Sequence, residues 1–187
     1  MTDAGATEVA YVILTGGRSS RLGTDKAKAQ VNKVALLDRL LDSFPKAPIV
    51  IGPEVQGGPA AAINAALGVI MSPWVAVVAV DMPFAPPVIA YLAQLTDGVK
   101  ADGFIPIDLI GKEQWLCGIY QTAALRTAMA VFGSVVDAPL HQVLGSLNLQ
   151  RVRLPDELAK LLIDIDTPAD LQRAEFLDQE AQSHWTK

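Results

Sequence analysis

Every residue from Trp74 to Val80 is apolar, and the run stops at Asp81. It is far shorter than the ~20 residues a membrane-spanning helix needs. It also lacks the polar alternation of a half-exposed strand, so it reads as a strand covered on both faces, as in a parallel sheet with helices above and below. A chain that contains such a strand must supply the helices that cover it.

The rest of the sequence supplies them. Val9 to Leu14 is a second apolar run, ending in Thr15-Gly16-Gly17 as a buried strand entering a glycine loop does. Apolar residues at Val34, Leu37, Leu40, Leu41 and Phe44 predict a helix over 34–44 with these side chains inward. Ile49 to Ile51 reads as a strand, Gly57-Gly58-Pro59 opens an alanine-rich helix to about Met71, and Pro86-Pro87 leads a helix over 88–95. Strands are expected at 103–107, 114–120, 150–154 and 162–165, and helices at 123–132 and 140–147. Thr167-Pro168 caps a last helix that turns Leu171, Ala174 and Phe176 inward. This alternation predicts an α/β fold: a three-layer α/β/α sandwich around a mostly parallel, Rossmann-like sheet. The 187 residues fit one domain, 1–187, with mobile ends at 1–7 and 179–187.

Composition excludes several classes. At 51% hydrophobic and 19% charged residues the chain is not disordered. A net charge of −5 leaves no broad basic surface for nucleic acid. One cysteine, Cys117, and two histidines rule out an internal disulfide and a thiolate zinc site. The residues from Met1 to Ala10 lack a basic start and an apolar stretch, so no secretory signal and no membrane association is expected, and the location expected is cytoplasmic.

In open α/β sheets the ligand sits beyond the carboxyl ends of the strands. There the sequence places Leu14-Thr15-Gly16-Gly17-Arg18-Ser19-Ser20-Arg21-Leu22-Gly23-Thr24-Asp25-Lys26. Glycines admit close approach to phosphate oxygens, and Arg18, Arg21 and Lys26 supply positive charge in an acidic chain. The loop is neither a P-loop, because Gly23 is not followed by lysine, nor a dinucleotide fingerprint, because its glycine spacing differs. A plain strand-to-helix turn does not account for three cations so close together.

Asp81 ends the most apolar strand beside this loop, where a carboxylate suits a magnesium ion on nucleotide phosphates. Asp164-Ile165-Asp166-Thr167-Pro168 places two further carboxylates on one face. Asp166 has two readings, helix cap and metal ligand, and the sequence does not choose between them. Gly57-Gly58-Pro59 puts a helix N-terminus where a base or phosphate would suit it, or marks close helix packing. Cys117 reads as a small buried hydrophobe, and His141 and His184 as surface residues without a catalytic part.

The loop from Leu14 to Lys26 resembles the signature of the molybdenum cofactor guanylyltransferases (MobA family). Asp81-Met82-Pro83-Phe84 and Asp164-Ile165-Asp166-Thr167-Pro168 resemble two further motifs of that family. Trp115 to Tyr120 resembles its acceptor-side strand, and Gly57-Gly58-Pro59 partly resembles its guanine-bordering motif, although the segment Gly52 to Gln56 is shorter than in relatives. The resemblance implies a Rossmann-like nucleotidyltransferase that moves GMP from GTP to molybdopterin, with Mg²⁺ as cofactor. It implies Arg21, Lys26 and Asp81 as catalytic residues and Asp81 and Asp166 as metal ligands. It implies Leu14, Thr15, Gly16, Gly17, Arg21, Lys26, Gly58 and Asp81 as nucleotide contacts. GTP and molybdopterin are the small-molecule partners implied, with other molybdenum cofactor biosynthesis proteins or apo-molybdoenzymes as protein partners. Three alternatives stay open: a cytidylyltransferase for the same pterin, a sugar-phosphate nucleotidyltransferase, and an inactive adaptor that binds nucleotide or pterin.

Overall fold

The strand expected to be covered on both faces is β5 (Trp74–Ala79), and all of its residues are buried. Its alternate side chains enter two different packed layers. Trp74, Ala76 and Val78 meet one apolar cluster, and Val75 and Val77 meet another. The computed structural model describes residues 8–16 and 26–184.

Along the chain, β1 (Val9–Leu14) is followed by a short hairpin of β2 (Gln30–Val31) and β3 (Val34–Ala35), then by α1 (Leu36–Ser43), β4 (Ile49–Ile51) and α2 (Gly58–Leu67). After β5 come α3 (Pro86–Gln94), β6 (Gly103–Ile107), β7 (Cys117–Gln121), α4 (Thr122–Phe132), α5 (Leu140–Val143), β8 (Leu149–Arg153), α6 (Asp156–Ala159) and α7 (Pro168–His184). The main sheet has six strands in the order β4-β1-β5-β7-β6-β8. Every neighbouring pair is parallel except those made by β7, which runs against both β5 and β6. Leu36 and Leu40 of α1, Val88, Ile89 and Leu92 of α3, Ala159 of α6 and Ala174 of α7 cover one face. Ile63, Ala66 and Leu67 of α2, Leu125 and Met129 of α4 and Val143 of α5 cover the other. This is the expected three-layer α/β/α sandwich with a mostly parallel sheet.

Several elements differ from the sequence reading. The helix expected over 34–44 starts at Leu36, because Val34 and Ala35 pair with Val31 and Gln30 across a turn made by Asn32 (φ 48°) and Lys33 (φ 70°). Its buried face is therefore carried by Leu36 and Leu40, and Val34 and Leu41 are exposed. The helix after Gly57 stops at Leu67, leaving Met71 at 92% exposure. The strand expected over 114–120 begins only at Cys117, whose N–H closes a turn onto the carbonyl of Gln114. Residues 162–165 form no strand; Leu162 and Ile165 pack under the sheet as irregular chain. In α7, Ala174 is buried as expected but Phe176 is 69% exposed. The last helix runs to His184; the ends 1–7 and 185–187 lie outside the described residues.

Candidate active site

The chain leaves β1 for β4 on one side and returns through α2 to β5 on the other. The strand order thus reverses beside β1, and the crevice at the carboxyl ends of β4, β1 and β5 is where an open α/β sheet binds its ligand.

Two sets of backbone bonds define the floor of this crevice. Leu14 is buried, pairs with Ile51 and Ala79, and its carbonyl accepts the N–H of Val80 at 3.0 Å. Thr15 donates both its N–H (2.9 Å) and its Oγ1 hydroxyl (3.2 Å) to the carbonyl of Ile51, closing β1 onto β4. Gly16 is then the first residue past the ladder. A Cβ on it would meet nothing closer than Pro53 Cα at 3.6 Å, an ordinary contact, so packing does not account for the missing side chain. A bare backbone at this point suits the close approach of a ligand. Gly17 and Arg21, with the rest of 17–25, lie outside the described residues. Lys26 opens a short 3₁₀ turn, Lys26–Lys28, and its side chain is likewise outside the description.

Beyond β4, the N–H of Gly52 donates to Glu54 Oε1 at 3.0 Å, which holds an exposed carboxylate over the strand end. Gly57 and Gly58 both adopt left-handed backbone (φ 98° and 80°), and α2 begins there. Gly58 has open space around it, so its conformation alone calls for glycine, and the helix N-terminus it opens presents free N–H groups at the crevice edge.

Asp81 emerges half-buried from the end of β5. Leu14 pairs with Ala79, the last residue of β5, and the turn closed by the Met82 N–H on the Ala79 carbonyl then carries Asp81 past the strand end. The carbonyl of Asp81 accepts the N–H of Ile165 at 2.9 Å, which brings Asp164 and Asp166 to the same edge. Burial pushes the Asp164 carboxyl above the usual range, and the like charges of Asp81 and Asp166 push it further, against the opposing pull of Lys112. Lys112 Nζ lies 3.3 Å from Asp164 Oδ2. Three carboxylates from two segments distant in sequence therefore share one field.

The two readings of Asp166 separate here. The start of α7 is capped by Thr167 and Asp170: the Asp170 N–H donates to Thr167 Oγ1 at 3.2 Å, and Asp170 Oδ2 accepts the Thr167 N–H at 2.9 Å and its hydroxyl at 2.7 Å. This is a reciprocal capping box. The cap does not need the Asp166 carboxylate.

Those carboxylates fit a magnesium ion by donor type, since Mg²⁺ takes hard oxygen ligands, commonly one or two carboxylates completed by substrate phosphates and water. Among the described residues no group of three or more His, Cys, Asp and Glu is arranged to hold an ion by itself.

Lys112 and Glu54 were not singled out from the sequence. The first reaches Asp164 through a tertiary contact that no motif spacing reveals, and the second sits in a segment notable only for being short. Cys117 is fully buried, and burial, with the Asp164 charge adding to it, raises its thiol far above the reactive range. A cavity of about 720 Å³ lies elsewhere, between α1, α3, α6 and α7, lined by residues such as Arg39, Phe84, Glu157 and Asp178; none of the candidate site residues borders it. No helix among the described residues is long and apolar enough to cross a membrane.

Comparison with known proteins adds to this geometry. The family model of the MobA-like NTP transferase domain matches residues 11–52 and 43–152. A curated protein of Pelotomaculum thermopropionicum, named "Probable molybdenum cofactor guanylyltransferase", is 26% identical over 92% of this chain and 94% of its own. The crystal structure of molybdopterin-guanine dinucleotide biosynthesis protein A from Archaeoglobus fulgidus superposes with a TM-score of 0.75 at 22% identity, covering 91% of this chain and 99% of that one. The crystal structure of 2-C-methyl-D-erythritol 4-phosphate cytidylyltransferase from Thermus thermophilus shares the fold at a TM-score of 0.61 and 21% identity, covering 90% of this chain and 98% of its own.

Proposed function

Because this chain belongs to the MobA-like NTP transferase family and is a nucleotidyltransferase, we propose that it transfers GMP from GTP to the phosphate of molybdopterin, in its molybdenum-bound form. The products are the guanine dinucleotide cofactor and pyrophosphate. The observation that supports this reading is that the ends of β1 and β5 and the segment before α7 lie along one edge, tied by the Val80–Leu14 and Ile165–Asp81 backbone bonds.

An oxygen of the acceptor phosphate attacks the α-phosphorus of GTP, and the bond from that phosphorus to the bridging oxygen breaks as pyrophosphate departs with the electron pair. An ionised phosphate is already a nucleophile, so no side chain has to remove a proton. The work of the protein is to position the reactants and offset charge. Arg21 and Lys26 neutralise the α-phosphate and the leaving pyrophosphate. The backbone at 14–17 and the helix start at Gly58 hold the nucleotide. Asp81 and Asp166 would hold Mg²⁺, which would supply Lewis-acid stabilisation of the phosphate charge.

Guanine is supported by Glu54. Its two carboxylate oxygens match the adjacent N1–H and N2 amino donors of guanine, whereas cytosine offers one amino group beside a ring acceptor. The test is calorimetry of GTP, CTP and ATP on the purified protein with and without Mg²⁺. Selective, magnesium-dependent GTP binding is the expected result; preference for CTP moves the chain to pterin cytidylyl transfer, and no nucleotide binding overturns the transferase reading.

A further inference from the structure

The strand order places three features in a row along the carboxyl edge. The glycine loop follows β1, Asp81 follows β5, and the connection between β6 and β7 lies on the far flank of β5. That connection is fixed to β5 by the Ala79 N–H, which donates to the carbonyl of Leu116 at 2.9 Å. In-line displacement needs nucleophile and leaving group on opposite sides of the phosphorus. On the transferase reading pyrophosphate leaves on the β1 side, so the acceptor enters from the β7 flank. A phosphate monoester entering there carries negative charge toward Asp81, Asp164 and Asp166, and calls for a cation on its own side.

Lys112 stands at that place. The backbone under it is braced: Asp108 Oδ1 accepts the N–H groups of Ile110 (3.0 Å) and Lys112 (2.8 Å), and Asp108 Oδ2 accepts Gln114 Nε2 (3.0 Å). The Asp108 N–H donates to the carbonyl of Lys112 at 3.0 Å, and Gly111 takes the left-handed turn (φ 87°) that closes the loop. The next residue, Glu113, is held to Arg151 of β8 at 2.5 Å. The Lys112 side chain itself is 61% exposed, and its contact with the half-buried Asp164 is a single ion pair open to solvent on the lysine side.

We propose that Lys112 binds the phosphate monoester of the acceptor, leaving Asp164 for it when the acceptor arrives. The inference rests on the transferase reading above and adds to it the residue that holds the nucleophile. Asp164 then acts as a resting partner that keeps the ammonium beside the reaction path while the site is empty.

The experiment is steady-state kinetics of the full chain with GTP and molybdopterin varied in turn, together with calorimetry of Mg·GTP. Lys112→Ala raises KM for molybdopterin at least tenfold and leaves KM for GTP and Mg·GTP binding within about twofold of wild type. Lys112→Arg, which keeps the charge, recovers most of the loss. An unchanged molybdopterin KM in Lys112→Ala overturns the proposal, as does an equal loss of GTP affinity or a failure of arginine to rescue. Wild-type protein that neither binds Mg·GTP nor uses molybdopterin overturns the transferase reading itself, and this proposal with it. A wild type that turns over beside an unaffected Lys112→Ala removes only Lys112 from the site.

Discussion

The N–H of Ile165 donates to the carbonyl of Asp81 at 2.9 Å, so the end of β5 and the segment before α7 meet through the main chain, with the carboxylates of Asp81 and Asp166 left to be varied without breaking the joint. Asp81→Asn should therefore abolish magnesium-dependent GTP binding and leave the thermal unfolding midpoint close to that of the wild type. The amide keeps the shape but lacks the charge a hard cation requires. Calorimetry with and without Mg²⁺ reads the effect, and an unchanged magnesium titration refutes the role given to Asp81.

Lys26 begins the turn that follows the glycine loop. Removing a group that offsets developing charge typically costs one to three decades in rate, so Lys26→Ala should lower turnover by about ten- to a hundredfold or more while the fold persists. Single-turnover rates at saturating GTP read this directly. Wild-type rates in the variant would remove Lys26 from the mechanism.

The parts of this fold that were legible in the sequence are those written in continuous apolar runs with sharp ends. Val9–Leu14, Ile49–Ile51 and Gly103–Ile107 have the limits expected of them, because Leu14 runs through Thr15 into Gly16-Gly17, Ile51 stops at Gly52 and Ile107 stops at Asp108. The hairpin of β2 and β3 was not legible, since strands of two residues have no period and its turn uses Asn32 and Lys33 rather than glycine. Residues 162–165 have strand-like composition, but their burial comes from packing under the sheet, a tertiary fact. Phe176 comes five residues after Leu171 and two after Ala174, a spacing that on a turn of about 3.6 residues carries it away from the face those two bury, so it is exposed. Within the site, Asp81 was readable because a charge directly after a wholly apolar strand calls for a reason. Lys112 was not, because its partner Asp164 comes from another part of the chain.

Glu54 offers a test of base choice. Glu54→Gln keeps an oxygen to accept the Gly52 N–H but turns the second acceptor into a donor, which then faces a donor of guanine. One such paired contact is worth ~1–3 kcal/mol of discrimination, so the preference for GTP over CTP should fall by about tenfold or more. Calorimetric affinities for the two nucleotides measure it, and an unaltered ratio assigns base selection to other groups.

The cap of α7 gives a prediction about stability and its pH dependence. Although burial pushes the Asp170 carboxyl up, the bonds from the Thr167 hydroxyl and from the N–H groups of Thr167 and Asp166 outweigh this and hold it below its usual value. A carboxyl depressed in the folded state stabilises the fold above its unfolded pKa of about 3.9. That stabilisation is lost as pH falls from there through the folded value. Asp170→Ala should cost about 1 kcal/mol at neutral pH, the usual value of a lost cap, and progressively less in acid. Urea unfolding at pH 7 and near pH 3 checks both, and a loss that does not shrink in acid contradicts the assignment.

Tyr120 folds back over Gly118 on the same face of β7 and donates its hydroxyl to the carbonyl of Trp115 at 2.7 Å, anchoring the turn that opens onto the crevice. A Cβ on Gly118 would lie 2.7 Å from the Tyr120 hydroxyl and 2.9 Å from the ring carbon that bears it. The ring is 1% exposed and has nowhere to move. Gly118→Ala should therefore destabilise by about 1–3 kcal/mol, the usual cost of overpacking. Tyr120→Phe should cost about 1 kcal/mol through the unsatisfied carbonyl of Trp115. Combining them removes the hydroxyl that the new methyl strikes, while the nearby ring carbons keep part of the strain. The double variant should then lose less than the sum of the two single losses. Additive losses in a double-mutant cycle would mean that the alanine is resisted by some contact other than Tyr120.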